Sequence, residues 1–169
     1  DEGRKKRKIL VVEDEFGLQE TLRDVFHMEG YDVRVAVDGD QGYESYLKFK
    51  PDLVLLDLYL SDSEGLNAFV KIRDQKPNVP VIVLSGFNDD TLALEAVRQG
   101  AQDYLIKDQI NTKMLARVIR HAIERKRAED AFRESEQKLQ AMAENLPDLI
   151  IMVDQKGTVL FVNHSKAYL

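Results

Sequence analysis

The stretch "LVLLDL", Leu53–Leu58, decides the fold of this chain. Its apolar residues have the composition of a strand covered on both faces, yet the run carries a carboxylate at Asp57. A buried, unpaired charge costs several kcal/mol. Asp57 must therefore reach solvent or sit among other charged groups, and the surrounding sequence identifies that company.

Outward from Asp57, apolar runs alternate with helical patterns. Ile9–Val12 reads as a strand, followed by Leu18, Leu22, Val25 and Phe26 at helical spacing, with Gly30 as the stop. Tyr31–Val37 alternates apolar and polar residues, which suits a strand at a sheet edge. A helix over 41–49 follows, and Pro51 sets up the strand that ends in Asp57. Leu66, Phe69 and Val70 mark another helix, and Pro80 precedes the apolar strand Val81–Leu84. Leu92, Ala96 and Val97 mark a helix stopped by Gly100. Tyr104–Ile106 is a short last strand, and Asn111 or Thr112 caps a final helix.

Five strand–helix units imply an α/β fold with a doubly wound parallel sheet covered on both faces. Strands one, three and four are continuously apolar and belong in the centre. Strands two and five alternate or are short and belong at the edges. The flavodoxin-like order 2-1-3-4-5 satisfies both conditions, and sites in such sheets gather at the carboxyl ends of the strands. Strand one runs into Glu13-Asp14, strand three into Asp57, strand four into Ser85 and strand five into Lys107. One rim thus collects polar groups from four strands.

Composition narrows the function. The chain has 169 residues, 44% of them hydrophobic, enough for one core and something more. A net charge of −6 argues against general nucleic-acid binding. The absence of cysteine removes disulfides, thiolate metal sites and cysteine nucleophiles, and fits a cytoplasmic protein. No apolar run approaches the ~20 residues of a membrane span. The basic run Arg4–Lys8 leads into only four apolar residues, so it reads as a solvated arm over residues 1–7 rather than a secretory signal.

Three carboxylates gathered without a counter-charge repel one another. A hard divalent cation resolves this, and Mg²⁺ takes one or two carboxylates, water and a phosphoryl oxygen. Asp57 is then placed to attack a phosphoryl group as a carboxylate nucleophile, with Lys107 and Ser85 stabilising its oxygens. Singly, each residue has a blander reading: Glu13 and Asp14 as helix-start acids, Ser85 as a turn former, Lys107 as a surface lysine. Their joint placement at successive strand ends is what those readings leave unexplained. Other phosphate chemistries fit less well. Glu13-Asp14-Glu15 would repel the phosphate of a flavin, and neither G-x-G-x-x-G nor G-x-x-x-x-G-K-[ST] occurs. A haloacid-dehalogenase-type phosphatase needs a second Asp where Tyr59 stands.

The motifs "ILVVEDE" (Ile9–Glu15), "PDLVLLDLYLSDSEGL" (Pro51–Leu66), "PVIVLSG" (Pro80–Gly86) and "GAQDYLIK" (Gly100–Lys107) resemble the receiver domain of two-component response regulators. The resemblance covers residues 8–124. It implies that Asp57 accepts a phosphoryl group from a phosphohistidine on a histidine kinase or histidine phosphotransfer domain. It implies that Asp14 binds Mg²⁺ (or Mn²⁺) directly and Glu13 through water, with the Tyr59 backbone carbonyl as a further ligand. Ser85 would move toward the phosphoryl group, Tyr104 would swing inward as the switch, and Lys107 would pair with the phosphate. A receiver of this kind catalyses only its own phosphoryl acceptance and hydrolysis, so an enzyme in the wider sense lies in a larger signalling protein, such as a histidine kinase. Two positions depart from the pattern. Asp108 replaces the usual Pro after the lysine, which favours a trans bond there. Ser61 replaces a common Pro, which points to a looser 61–65 loop.

Residues 113–144 contain no Gly or Pro. Ala128, Phe132, Ser135, Leu139, Met142 and Leu146 fall at 4-3-4-3-4 spacing, an a/d seam, with Glu129–Arg133 and Glu134–Lys138 as i,i+4 pairs. Residues 125–146 therefore read as a signalling helix through which the chain forms a homodimer, against a helix folded back on its own receiver or a solvated linker. "ENLPDLIIMVDQKGTVLFVNHSKAYL" (Glu144–Leu169) resembles the opening of a PAS domain, placed at 147–169, and begins with a β-hairpin around Gln155-Lys156-Gly157. His164, near the end of this stretch, reads as a surface residue. The output module is expected beyond Leu169. The rival readings are a receiver fold serving as an unphosphorylated dimerisation scaffold and the phosphatase already disfavoured by Tyr59.

Overall fold

The apolar runs become parallel strands, and the helical patterns cover them. A computed structural model of the chain describes residues 6–64, 66–75, 79–86, 90–145 and 151–162. In chain order it contains β1 (Lys8–Val12), α1 (Phe16–Met28), β2 (Asp32–Ala36), α2 (Gly39–Phe49), β3 (Leu53–Asp57), β4 (Tyr59–Leu60), β5 (Ser63–Glu64), α3 (Asn67–Gln75), β6 (Val81–Ser85), α4 (Asp90–Arg98) and β7 (Asp103–Ile106). A 3₁₀ turn over Lys107–Gln109 leads to α5 (Thr112–Asn145), which is followed by β8 (Ile151–Val153) and β9 (Val159–Val162).

The main sheet has the order β2-β1-β3-β6-β7, with every pairing parallel. Counted by its five strands, this is the expected order 2-1-3-4-5. Burial follows the sequence patterns: every residue of β3 and β6 is buried, whereas β2 and β7 mix exposed and buried positions. One face packs Leu10, Val12, Val54, Leu56 and Val83 beneath Tyr46, Phe69, Ile72 and Ala96. The other packs Ile9, Val11, Leu55, Ile82 and Leu84 beneath Leu22, Phe26, Leu115 and Ile119. Each large side chain so buried contributes about 1.5–3 kcal/mol.

Local signals set the helix ends. Gly30 takes φ +86°, a left-handed conformation that ends α1 without Cβ strain. The Asp38 carboxylate accepts from Gln41 N at 2.7 Å and caps α2. Asn111, rather than Thr112, caps α5, its Oδ1 accepting from Met114 N at 2.9 Å. The described residues contain no cis peptide bond, so Lys107–Asp108 is trans and opens the 3₁₀ turn. The stretch after Asp57 contains a two-strand antiparallel hairpin pairing Tyr59 with Glu64 and Leu60 with Ser63. Leu60 is buried and anchors it in the core.

The chain divides into two units, the first ending at Lys126 and the second beginning at Arg127. In the second unit, the α5 residues Phe132, Leu139 and Met142 are exposed, and Lys138 pairs with Glu134 at 2.6 Å. β8 and β9 form an antiparallel hairpin. Its turn is held by Asp154 Oδ1, which accepts from Lys156 N and Thr158 N at 2.8 Å each. Arg4, Lys5, Leu146, Pro147 and His164, each used in the sequence reading, lie outside the described residues. Among the described residues no helix is long and apolar enough to cross a membrane.

Candidate functional site

Sheet register brings the polar strand ends together. Val12 pairs with Leu56, so the residues that follow, Glu13 and Asp57, fall side by side. Asp57 pairs with Leu84, one residue before Ser85, and Ser85 pairs with Ile106, one residue before Lys107. The rim predicted from strand ends alone is thus assembled by main-chain hydrogen bonding.

Glu13, Asp57 and Ser85 are buried, with Asp57 only 2% exposed, while Asp14 faces solvent. One oxygen from each of Glu13, Asp14 and Asp57 lies within 4.8 Å of the others. Lys107 Nζ donates to Asp57 Oδ2 at 2.8 Å and to Glu13 Oε1 at 3.0 Å. Backbone donors hold the remaining directions. Tyr59 N donates to Asp57 Oδ1 at 3.1 Å, and Glu15 N donates to Glu13 Oε1 at 3.1 Å.

The electrostatics follow from burial. Desolvation, and then the charge of Asp57, push the Glu13 carboxyl above its ordinary value. Burial pulls Lys107 down, but its hydrogen bonds to Asp57 and Glu13 outweigh that and raise it. The cluster gathers three carboxylates around one ammonium that pairs with two of them, so it keeps an excess of negative charge.

Among the described residues, two buried side-chain atoms lack hydrogen bonds: Glu13 Oε2, which lies within ion-pair distance of Lys107, and Ser85 Oγ. Hard oxygen donors, surplus negative charge and an unsatisfied buried carboxylate oxygen suit a divalent cation such as Mg²⁺ or Mn²⁺. A small recess of about 300 Å³ opens beside Lys107, lined by Glu15, Gly17, Leu18, Thr21 and Asp108. A larger recess, about 630 Å³, lies at the start of β7 against α5 and holds none of these groups.

Tyr104 sits on edge strand β7 opposite Val83, half-buried and packed against the core. Tyr59 is 47% exposed, while its backbone lies at the base of the β4–β5 hairpin. Two residues at the site escape a sequence reading. Gln19, nearly buried, donates from its side chain to the Glu13 carbonyl and holds β1's end from α1. Asp62 accepts from the first turn of α2. A glutamine in a helix and an aspartate in a turn carry no local mark of such contacts.

Residues 9–120 match the family described as response regulator receiver domain. The chain is 30% identical over 102 residues to the chemotaxis protein CheY of Thermotoga maritima, covering 60% of this chain and 85% of that protein. It is 34% identical to the DNA-binding response regulator MtrA of Mycobacterium tuberculosis, covering 67% of this chain but only 49% of that protein. Among solved structures, the receiver domain of NtrX from Brucella abortus superposes with a TM-score of 0.66 at 33% identity, covering 69% of this chain and 98% of that one.

Proposed function

Because the chain belongs to the response regulator receiver family, which serves two-component phosphorelay signalling, we propose that Asp57 is its phosphoacceptor, charged by a phosphohistidine of a histidine kinase or histidine phosphotransfer domain. The observation that carries this reading is the buried Asp57 carboxylate, held between Lys107 Nζ and Tyr59 N beside Glu13 and Asp14.

In the transfer, an Asp57 carboxylate oxygen attacks phosphorus, an O–P bond forms, and the N–P bond to the donor imidazole breaks. The imidazole leaves with the electron pair and takes a proton from water. Asp14, Glu13, Asp57 and the Tyr59 backbone carbonyl would hold Mg²⁺ or Mn²⁺. When bound, the cation neutralises the phosphoryl oxygens and aligns them with the acceptor. Lys107 needs no reach to do the same from the other side, since it already lies 2.8 Å from Asp57. The Ser85 hydroxyl, buried and without a hydrogen bond, gains a partner when a phosphoryl oxygen arrives. Tyr104 then turns inward beside it, which makes β7 the bistable element that the new charge biases.

In the same reading, residues 8–124 are the receiver and residues 125–146 a signalling helix that pairs with a second copy. Residues 147–169 are the start of a PAS domain, supported by the hairpin with its Asp154–Gly157 turn. The setting is cytoplasmic. The test is intact mass after incubation with Mg²⁺ and a small phosphodonor. The parent chain gains roughly 80 Da, one phosphoryl group, and Asp57→Asn gains nothing. A parent chain that stays unlabelled returns the fold to the role of a scaffold.

A further inference from the structure

The supports of the acid cluster converge on the first turn of α2. Glu13 N donates to the Ala36 carbonyl at 3.0 Å, which ties the end of β1 to the end of β2. Asp38 then caps α2, but a cap leaves other N–H groups of the first turn without helical partners. Gly39 N donates to Asp62 Oδ1 at 2.8 Å, and Asp40 N donates to Asp62 Oδ2 at 3.0 Å. One carboxylate thus sits on two donors at the positive end of a helix of 11 residues.

The same turn presses on β1. A Cβ added at Gly42 would stand 2.9 Å from both methyl groups of Val12, the residue immediately before Glu13. α2 therefore braces the strand behind Glu13 and also holds Asp62, at the tip of the β4–β5 hairpin. That hairpin starts at Tyr59, whose N–H donates to Asp57 Oδ1. A short series of directional bonds runs from α2 through Asp62 and the hairpin to the Asp57 carboxylate.

We propose that Asp62 is a positioning residue for the divalent-cation site: seated on Gly39 N and Asp40 N, it fixes the hairpin that sets the Tyr59 backbone and the Asp57 carboxylate. This rests on the reading of Glu13, Asp14 and Asp57 as that site. A plain capping role would add stability to the fold and leave the affinity of the folded site unchanged.

Mg²⁺ binding to the folded full chain, measured by titration calorimetry, separates the two roles, with amide exchange at Gly39 and Asp40 reporting the seat itself. Asp62→Ala weakens Mg²⁺ binding about tenfold, within the range found for groups that orient ligands from outside. It slows phosphoryl acceptance at limiting Mg²⁺ and leaves the rate at saturating Mg²⁺ unchanged. Asp62→Asn, whose amide oxygen still accepts an N–H, recovers most of the affinity. Glu44→Ala removes another exposed carboxylate of α2, one paired with Lys48 at 3.2 Å, and leaves the affinity unaltered. Equal affinities for parent and Asp62→Ala overturn the proposal, as does an Asp62→Asn chain no better than Asp62→Ala. A parent chain that binds no Mg²⁺ overturns the reading of the site and the inference with it.

Discussion

Lys107 Nζ lies 2.8 Å from Asp57 Oδ2, and the same ammonium is 3.0 Å from Glu13. Residues at the ends of β7, β3 and β1 are therefore joined through one ammonium group. A strand interior rich in apolar residues tolerates Asp57 because this partner, and the Tyr59 N–H, replace water around the carboxylate.

Lys107→Met removes that partner and leaves two buried carboxylates facing each other. Stability at neutral pH falls by about 2–3 kcal/mol, less than the ~3–5 for breaking a fully buried pair, because 21% of the Lys107 side chain meets water. Added Mg²⁺ restores most of the loss if the carboxylates are its ligands. Urea unfolding with and without Mg²⁺ measures both effects, and a loss indifferent to Mg²⁺ would argue against the cation site.

Asp57→Asn has the opposite sign. It removes one carboxylate from a cluster with surplus negative charge while Lys107 keeps its pair with Glu13. Without Mg²⁺ the variant gains up to about 1 kcal/mol, as relief of like-charge repulsion predicts, and loses phosphoryl acceptance. Thermal unfolding at low ionic strength checks it; a destabilised variant would mean that the Asp57–Lys107 attraction outweighs the repulsion.

The fold was legible because burial dictates composition. Only central strands covered on both faces read as uninterrupted apolar runs, so β1, β3 and β6 placed themselves, and the mixed patterns of β2 and β7 placed the edges. The strand-end rim followed from topology, since register alone sets Glu13 beside Asp57 and Ser85 near Lys107. Asp62 and Gln19 were not legible. Asp62 meets Gly39 and Asp40 across more than twenty positions of sequence, through main-chain N–H groups that every residue type supplies. The β4–β5 hairpin was hidden for a related reason: the buried Leu60 holds it, and Ser61 in place of a common Pro carries no mark of strand pairing.

Asp62 also gives stability a dependence on pH. The hydrogen bond from Gly39 N, and then that from Asp40 N, hold its carboxyl below the ordinary value of 3.8. A carboxyl depressed in the folded state stabilises the fold at pH values above its unfolded value. That contribution fades as pH falls from about 4 through the depressed value. Asp62→Asn removes this part of the acid dependence and leaves the remaining slope in place. Unfolding midpoints between about pH 2 and 6 test it, and parallel curves for parent and variant would show that Asp62 titrates alike in both states.

The exposed face of α5 makes the last prediction. Phe132, Leu139 and Met142 are each about two-thirds exposed, and they repeat at the spacing of a two-stranded seam. Exposed apolar groups in such a row are a standing driving force for pairing, at about 25 cal/mol for each Å² removed from water. Ser135 interrupts the row and weakens it. Leu139→Lys places a charge in the middle of the seam and raises the dimer dissociation constant at least tenfold, or about 1.4 kcal/mol. Ser135→Leu shifts it the other way. Neither substitution touches the residues at the sheet rim, so phosphoryl acceptance at Asp57 stays at the parent level in both. Sedimentation equilibrium over a range of concentrations reads the dissociation constants. Identical curves for all three chains would mean that this face is covered by something other than a second copy.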